Sequence, residues 1–340
     1  MENLTSTPPI AQRMLGRHDL SVAPIGLGCM GMSQDYGPAA EDESIATLRR
    51  AIDIGVTLID TSMSYGAGEN ERLVAKALGD RRNEITLATK FGIVRDYPGG
   101  PARVSAHPSD IPKYCDASLK RLKTDYIDIY YLHRVDPSVP IEDSIGAMAE
   151  LVSAGKVRYL GLSETGVEQM ERSCAVHPIA ALEYEWSLWW PAPADDIVPA
   201  ARRLGIGLVP YSPLGRGFLT NRNLDTGSLT PDDDRHGDPR LHGEHIAQNR
   251  ATLSAVRELA TELGMTAAQL SLAWLLAQGD DVVPIPGTTR RSRVEENFSA
   301  ATISLDPDVL RRLEEIAGRT EWTGDRQTFA PHRTHRASMQ

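Results

Sequence analysis

Three short runs of β-forming, apolar residues each end in an ionisable side chain. Asp60 closes the run 56–60, Lys90 follows 84–89, and His133 follows 126–132. Tyr65 stands five residues beyond Asp60. A single aspartate, lysine or histidine at such a place is ordinary turn, edge or structural chemistry. Three successive strand ends of this kind are not. Together the four residue types can run a proton relay. A tyrosine supplies a proton but has an unperturbed pKa near 10. A nearby lysine cation favours the phenolate and lowers that pKa. A partly buried lysine keeps its charge only beside a carboxylate, so Asp60 is the candidate partner of Lys90. A neutral histidine can orient a carbonyl or help pass the proton. Positioned acid–base chemistry of this kind is worth on the order of 10²–10⁴ in rate.

Such residues need a scaffold that gathers strand ends, and the chain has the rhythm of one. A short hairpin leading into a strand is expected over 13–28. Beyond it, helical spacing at Ile45, Leu48 and Ile52 alternates with the short strands. Helices are expected at 69–78, 108–122, 141–154, 166–175 and 195–204, with Gly79, Gly155 and Gly205 as stops. Strands are expected at 156–162, 179–184, 207–211 and, last and shortest, 281–284. Helices follow at 246–263, 267–278, 291–299 and 306–317. The strands are apolar on both faces, as parallel strands covered on both sides must be. The expectation is a single (β/α)8 barrel of the TIM type, residues 13–317, with an N-terminal β-hairpin. A flexible stretch, 1–12, precedes it and an irregular tail, 318–340, follows. The polar segment 214–244 interrupts the rhythm after the seventh strand and reads as a long loop over the active face. Barrels of this kind carry their chemistry at the C-terminal ends of the strands.

Composition narrows the class. The 340 residues are 41% hydrophobic and 24% charged, ordinary for a globular chain with a full core. Lys and Arg total 36 against 46 Asp and Glu, a net charge of -10, which argues against a nucleic-acid or anionic-membrane partner. Cys29, Cys115 and Cys174 are too few and too widely spaced for a disulfide framework or a zinc site, and suit a reducing cytoplasm. The N-terminus lacks an apolar signal core, and no apolar run is long enough to span a membrane.

Six motifs then fall into a pattern. They are Asp60-Thr61-x-x-x-Tyr65-Gly66, Ala88-Thr89-Lys90-Phe91-Gly92, Tyr131-Leu132-His133-Arg134-Val135-Asp136, Gly161-Leu162-Ser163-Glu164, Tyr211-Ser212-Pro213-Leu214-Gly215 and Ile285-Pro286-Gly287-Thr288. In this order they resemble the signatures of the aldo-keto reductase family. The resemblance implies a (β/α)8 barrel that binds NADPH without a Rossmann domain and reduces a small-molecule aldehyde or ketone. It implies Tyr65 as the acid, Lys90 and Asp60 as its tuning pair, and His133 as the carbonyl-orienting residue. It places Ser163 and Glu183 at the nicotinamide carboxamide, and Tyr211 against the nicotinamide ring. Ser212, Leu214 and Gly217 fall along the pyrophosphate, and Gly287, Thr288, Arg293, Glu296 and Asn297 at the adenosine end. The residues themselves agree in one respect: Arg290, Arg291 and Arg293 cluster at a helix start in an acidic chain, which suits a phosphate and favours NADPH over NADH. Two positions depart from the family pattern. Thr289 stands where many relatives have lysine, and Glu183 where they often have glutamine.

Other patterns carry less. Gly26-Leu27-Gly28-Cys29-Met30-Gly31 fits a dinucleotide fingerprint, but the required helix does not begin at once. His236, His242 and His245 near Asp233, Asp234 and Glu244 read as a polar loop, and no metal is expected. Trp186, Trp189 and Trp190 either pack under a loop or line a pocket for an apolar carbonyl. Ser62 and Ser64 lack the surroundings of a hydrolase. The alternative functions are a nicotinamide-binding regulatory subunit with slow turnover, and a lyase using Lys90 as a Schiff base, which needs a depressed lysine pKa. Oligomeric state leaves no trace in the sequence.

Overall fold

The computed structural model describes residues 10–231 and 233–326. Residues 1–9 and 327–340, which include most of the expected flexible N-terminus and much of the tail, lie outside the described residues.

The strands, in chain order, are β1 (Arg13–Met14), β2 (Ser21–Val22), β3 (Leu27–Gly28), β4 (Leu58–Asp60), β5 (Thr86–Phe91), β6 (Ile93–Val94), β7 (Arg103–Val104), β8 (Ile127–Leu132), β9 (Val157–Ser163), β10 (Ile179–Glu185) and β11 (Gly207–Tyr211). Seven of them form one parallel sheet in the order β11-β10-β9-β8-β5-β4-β3. Helices α1 (Glu41–Asp53), α2 (Glu69–Leu78), α3 (Ile111–Leu122), α4 (Ile141–Ser153), α5 (Val167–Val176) and α6 (Ile197–Leu204) fall between these strands. After β11 come α7 (Gly243–Glu262), α8 (Ala267–Leu276), α9 (Arg291–Ser299) and α10 (Pro307–Ala317). Every residue of β8 and β10 is buried, because a parallel strand of a barrel faces side chains within and helices without.

The eighth stave differs from the expected strand at 281–284. The segment 281–287 bridges both open edges without forming a regular strand. The Val283 and Ile285 amides donate to Leu208 O at 2.8 Å and Pro210 O at 3.0 Å, and the Gly26 and Gly28 amides donate to Pro284 O at 3.0 Å and Pro286 O at 3.4 Å. Pro284 and Pro286 have no N–H to return to β3, so along 284–286 that seam is bonded in one direction only. The barrel is thereby closed, with Gly28 opposite Gly287.

Two cores result. The outer one joins strands to helices; the inner one fills the barrel with Leu58, Ala88, Ile129, Tyr131, Ala181, Val209, Val283 and Ile285. Tyr131 takes so much of the interior that a Cβ on Gly161 would lie 2.3 Å from its ring. The β1–β2 hairpin plugs the bottom: Leu15, Leu20 and Val22 join the inner core, and Arg13 donates to Gly279 O at 2.6 Å and Val282 O at 2.8 Å. With the bottom sealed, the open face among the described residues is the one the strand C-termini define. No helix among the described residues is long and apolar enough to cross a membrane.

The polar segment 214–242 is not a loose loop. It is a chain of 3-10 turns in which Asp225, Asp233 and Asp238 each accept from a backbone amide two residues on. It also reaches across the open face, where Asp234 N donates to Asp35 O at 3.0 Å and the Arg235 guanidinium lies 5.1 Å from the centre of the Tyr36 ring.

Candidate active site

Parallel register brings the strand ends to one level. Lys90 lies opposite Tyr131, Asp60 opposite Ala88, and Glu183 opposite both Ser163 and Val209. Backbone bonds carry the order past the strands: Thr61 N donates to Ala88 O at 2.9 Å, Met63 N to Lys90 O at 3.1 Å, and His133 N to Phe91 O at 2.8 Å. Tyr65 then opens a tight turn in which Gly66 and Gly68 take φ of 55° and 94°, values that favour glycine.

Lys90 is the centre of the group. Its ammonium donates to Asp60 Oδ1 at 2.5 Å and to Thr61 O at 2.9 Å, and Glu183 Oε1 lies 3.3 Å away. It also sits 5.1 Å from the centre of the Tyr65 ring. Burial alone drives a lysine down, but the negative charges of Asp60 and Glu183 outweigh it and hold Lys90 above its ordinary value. A lysine that forms a Schiff base needs the opposite shift, so the lyase alternative loses its chemical basis.

For Tyr65 the balance differs from the sequence expectation. Burial pushes the phenol up; Lys90 pulls it down, Asp60 and Glu183 push it further up, and the net direction is upward. The phenol therefore keeps its proton at neutral pH, the form a proton donor must start from. His133 is driven well below the usual histidine range, first by burial and then by Arg134, Lys90 and Arg95, and is neutral. Its Nδ1 lies 3.3 Å from the Ser62 hydroxyl, and its ring meets the Tyr65 ring edge-on with centroids 6.0 Å apart.

The neutrality of His133 has a thermodynamic consequence. The unfolded chain binds a proton at this side chain near pH 6.5, whereas the folded chain does not. Below that pH the unfolded state binds more protons, so stability falls as pH falls. The stability associated with His133 is complete above about pH 6.5 and is lost on acidification at up to about 1.4 kcal/mol per pH unit. Urea denaturation from pH 7.5 to 5.5 should show a steeper loss for the native chain than for His133→Gln; equal slopes would refute this.

The strand ends surround a cavity of about 500 Å3. Asp60, Tyr65, His133, Ser163, Glu183 and Tyr211 line it. Ser212, Leu214, Gly217, Gly287 and Thr288 line it too, so these expected residues are brought together. Lys90 lies behind the wall, 1% exposed. Arg293 and Glu296 are also outside the wall, paired with each other on α9, and Asn297 is buried on the same helix. Of the basic cluster at the α9 start, Arg291 is held by Glu43 at 3.1 Å and Arg293 by Glu296. Arg290 alone of the three faces the cavity, and it has no carboxylate partner among the described residues.

Several contacts at the site were not read from the sequence. Ser62 orients His133, and its clue was only its place between Asp60 and Tyr65. Arg134 donates to Ser163 Oγ at 3.0 Å and to His133 O at 2.5 Å. Tyr211 donates its hydroxyl to Glu164 Oε1 at 2.9 Å, and Arg326 clamps that carboxylate through both nitrogens at 2.7 and 2.5 Å. Arg326 lies in the stretch expected to be irregular, where nothing in the sequence marked it. Glu164 and Ser212 hold φ of 53° and 47°, a conformation that side chains other than glycine adopt at a cost of about 1–3 kcal/mol. The three tryptophans are at most 2% exposed and outside the cavity wall. Trp189 stacks on Phe218 of the insertion at 4.3 Å, and Trp186 meets Trp274 of α8 edge-on. His236, His242 and His245 form no metal-ligating group among the described residues.

Comparison with known proteins gives the site its relatives. The model of the aldo/keto reductase family matches residues 24–317. The chain is 41% identical over 315 residues to a probable aldo-keto reductase 1 of Glycine max, spanning 92% of this chain and 90% of that protein. It superposes on a glycerol dehydrogenase of Gluconobacter oxydans with a TM-score of 0.84 and 28% identity, covering 94% of this chain and 98% of the other. An aldo-keto reductase of Klebsiella pneumoniae, crystallised with NADPH, matches with a TM-score of 0.70 and 26% identity over 90% of this chain and 95% of that one.

Proposed function

We propose, from the premise that this chain belongs to the aldo/keto reductase family, that it reduces a small aldehyde or ketone to the alcohol with NADPH, Tyr65 giving the proton. One observation carries the reading: a protonated phenol, a neutral imidazole and a buried ammonium–carboxylate pair converge on a single cavity.

The cavity has the chemistry that the cofactor needs. It extends from Tyr65 and His133 to Arg290, with the flat Tyr211 side chain, the Ser212 and Thr288 hydroxyls and arginines along its wall. Arginine forks and hydroxyl donors suit a diphosphate and a phosphomonoester, and an aromatic face suits a nicotinamide. NADPH bound there would supply the hydride. The chain's own residues do the rest. His133, uncharged and held by Ser62, can donate a hydrogen bond to a carbonyl oxygen and fix its direction. Tyr65 holds a proton within the same wall. Lys90 stabilises the phenolate that is left when that proton goes, and Asp60 keeps Lys90 charged. The solvent-excluding barrel strengthens each of these interactions.

The reading is tested by following NADPH oxidation across a panel of aromatic, aliphatic and sugar-derived aldehydes and ketones. Turnover on some of them is the expected result; tight NADPH binding with no turnover on any would favour the regulatory-subunit alternative. Cofactor choice has its own test. With Arg291 and Arg293 engaged by carboxylates, Arg290 is the one of the three that lines the cavity without a carboxylate partner among the described residues. Arg290→Ala should weaken NADPH by about ten- to a hundredfold, the value of a hydrogen bond to a charged group, and leave NADH unchanged. Fluorescence titration with both nucleotides measures this, and equal losses for the two would remove Arg290 from phosphate recognition.

A further inference from the structure

We propose that Glu183 is a proton-holding member of the cluster: it and Asp60 flank the single Lys90 ammonium and share one proton, and its protonated form leaves the third Lys90 N–H to Tyr65. The first half stands on geometry alone, and the second rests on the reading of Tyr65 as the proton donor.

The geometry is one of counting. Lys90 has three N–H donors. One is taken by Asp60 Oδ1 and one by Thr61 O. Two groups compete for the third: Glu183 Oε1, 3.3 Å from Nζ, and the Tyr65 side, with the ring centre at 5.1 Å. The Glu183 contact is misaligned, and its Oε1 has no hydrogen-bond partner. Asp60 Oδ2 is likewise buried without one. Two unsatisfied carboxyl oxygens beside one cation are an unstable arrangement when both acids are ionised, because a buried charge without a partner costs several kcal/mol. A proton held by the two acids together removes the excess charge.

No second cation among the described residues pairs with either acid. Among the described residues, Lys90 on β5 is the only cation within salt-bridge distance of Glu183, whose carboxyl is pushed well up by burial and then by the charge of Asp60. Tyr131 on β8 and Tyr65 are phenols that burial keeps neutral. His133 is uncharged, β9 presents Ser163, and β11 presents Val209. Glu185, two residues along β10, is occupied by Arg240 at 2.9 Å.

Ionised, Glu183 attracts the third Lys90 N–H and raises the negative charge around the phenol. Protonated, it releases that donor to the oxygen that becomes negative as Tyr65 gives up its proton. Glu183 acts on the reaction through Lys90, as a positioning residue. A glutamine here would be neutral at every pH, whereas Glu183 is a titrating group.

The test has two arms. Infrared difference spectra of the native chain against Glu183→Gln, in H2O and D2O at pH 7, should show the C=O stretch of a protonated carboxylic acid in the native chain. That band should shift in D2O and be absent from the variant. A native spectrum without it overturns the shared proton, and the result does not depend on any turnover. In the second arm, kcat for aldehyde reduction is followed to high pH. The native rate should fall about tenfold per pH unit beyond the Glu183 ionisation, a limb that Glu183→Gln lacks. Superimposable profiles overturn the role through Lys90. A chain that reduces no carbonyl at all, yet shows the infrared band, overturns the reductase reading and leaves the shared proton standing.

Discussion

Tyr65→Phe should lower kcat for reduction of a reactive aromatic aldehyde about 10²–10⁴-fold and leave NADPH affinity within the error of a fluorescence titration. The substitution removes one hydroxyl from a ring that is 8% exposed and packed edge-on against His133, so the volume of the site is kept. What is lost is the phenol proton that faces the Lys90 cation at the strand-end cluster. His133 cannot take over, because burial and three positive neighbours keep it deprotonated at working pH. Lys90 holds its proton more tightly than an ordinary lysine and is behind the wall. A variant with the native rate would mean that water delivers the proton, and the strand-end cluster would then be structural. A variant that loses rate and affinity together would place Tyr65 in cofactor binding instead.

Arg240→Met should cost about 3–5 kcal/mol in urea denaturation, the usual penalty for breaking a buried ion pair from one side. Arg240 is wholly buried and holds two carboxylates at once. It takes Asp238 through Nε and Nη2 at 2.9 and 2.7 Å and Glu185 through Nη1 at 2.9 Å, all three side chains having no exposure. Its guanidinium also lies 4.2 Å from the centre of a Trp189 ring. Methionine fills much of the space but leaves both acids without their main partner. Arg216 and Arg326 stand farther off, at 3.8 Å from Asp238 and 3.7 Å from Glu185, and offset part of the loss. Adding Glu185→Gln should restore some stability, since one stranded charge is then gone. A single-variant loss under about 1 kcal/mol would show that the distant arginines carry the network. Because Glu185 ends a barrel strand and Asp238 belongs to the insertion, the same ion pairs fix the insertion over the active face.

The strand-end chemistry was legible because it is local. Asp60, Lys90 and His133 each follow directly on a run whose apolar character announces a strand, and the barrel lifts all such ends to one rim. The contact between Glu183 and Lys90 was not legible in the same way. It depends on which inward positions of strands ninety residues apart share a level, and that is set by stagger around a closed sheet, not by neighbours in sequence. The buried arginines show the same limit. Arg240 and Arg326 lie in segments rich in Gly, Asp and Thr, where charge ordinarily means solvent, and only the folded chain shows the acids that draw them inward. The eighth stave was expected as a regular strand because its apolar run resembles the others. The two prolines in it give the physical reason it is bonded differently.

That proline-bearing stave has a bearing on how the molecule opens. A barrel whose seams were equal would have no preferred place to part. Here the joint between β3 and 284–286 is bonded in one direction only, and it joins segments some 258 positions apart along the chain (Gly26 to Pro284). Closing so long a loop carries the greatest entropic toll of any pairing in the sheet, so this joint forms last when the chain folds. The amides of Gly26 and Gly28 are accordingly the ones within the barrel wall that solvent deuterium should reach first, through partings that leave the other staves intact. Because Gly28 and Gly287 both line the cavity, a molecule that occupies it spans the joint and slows that exchange, which gives binding a readout independent of any reaction.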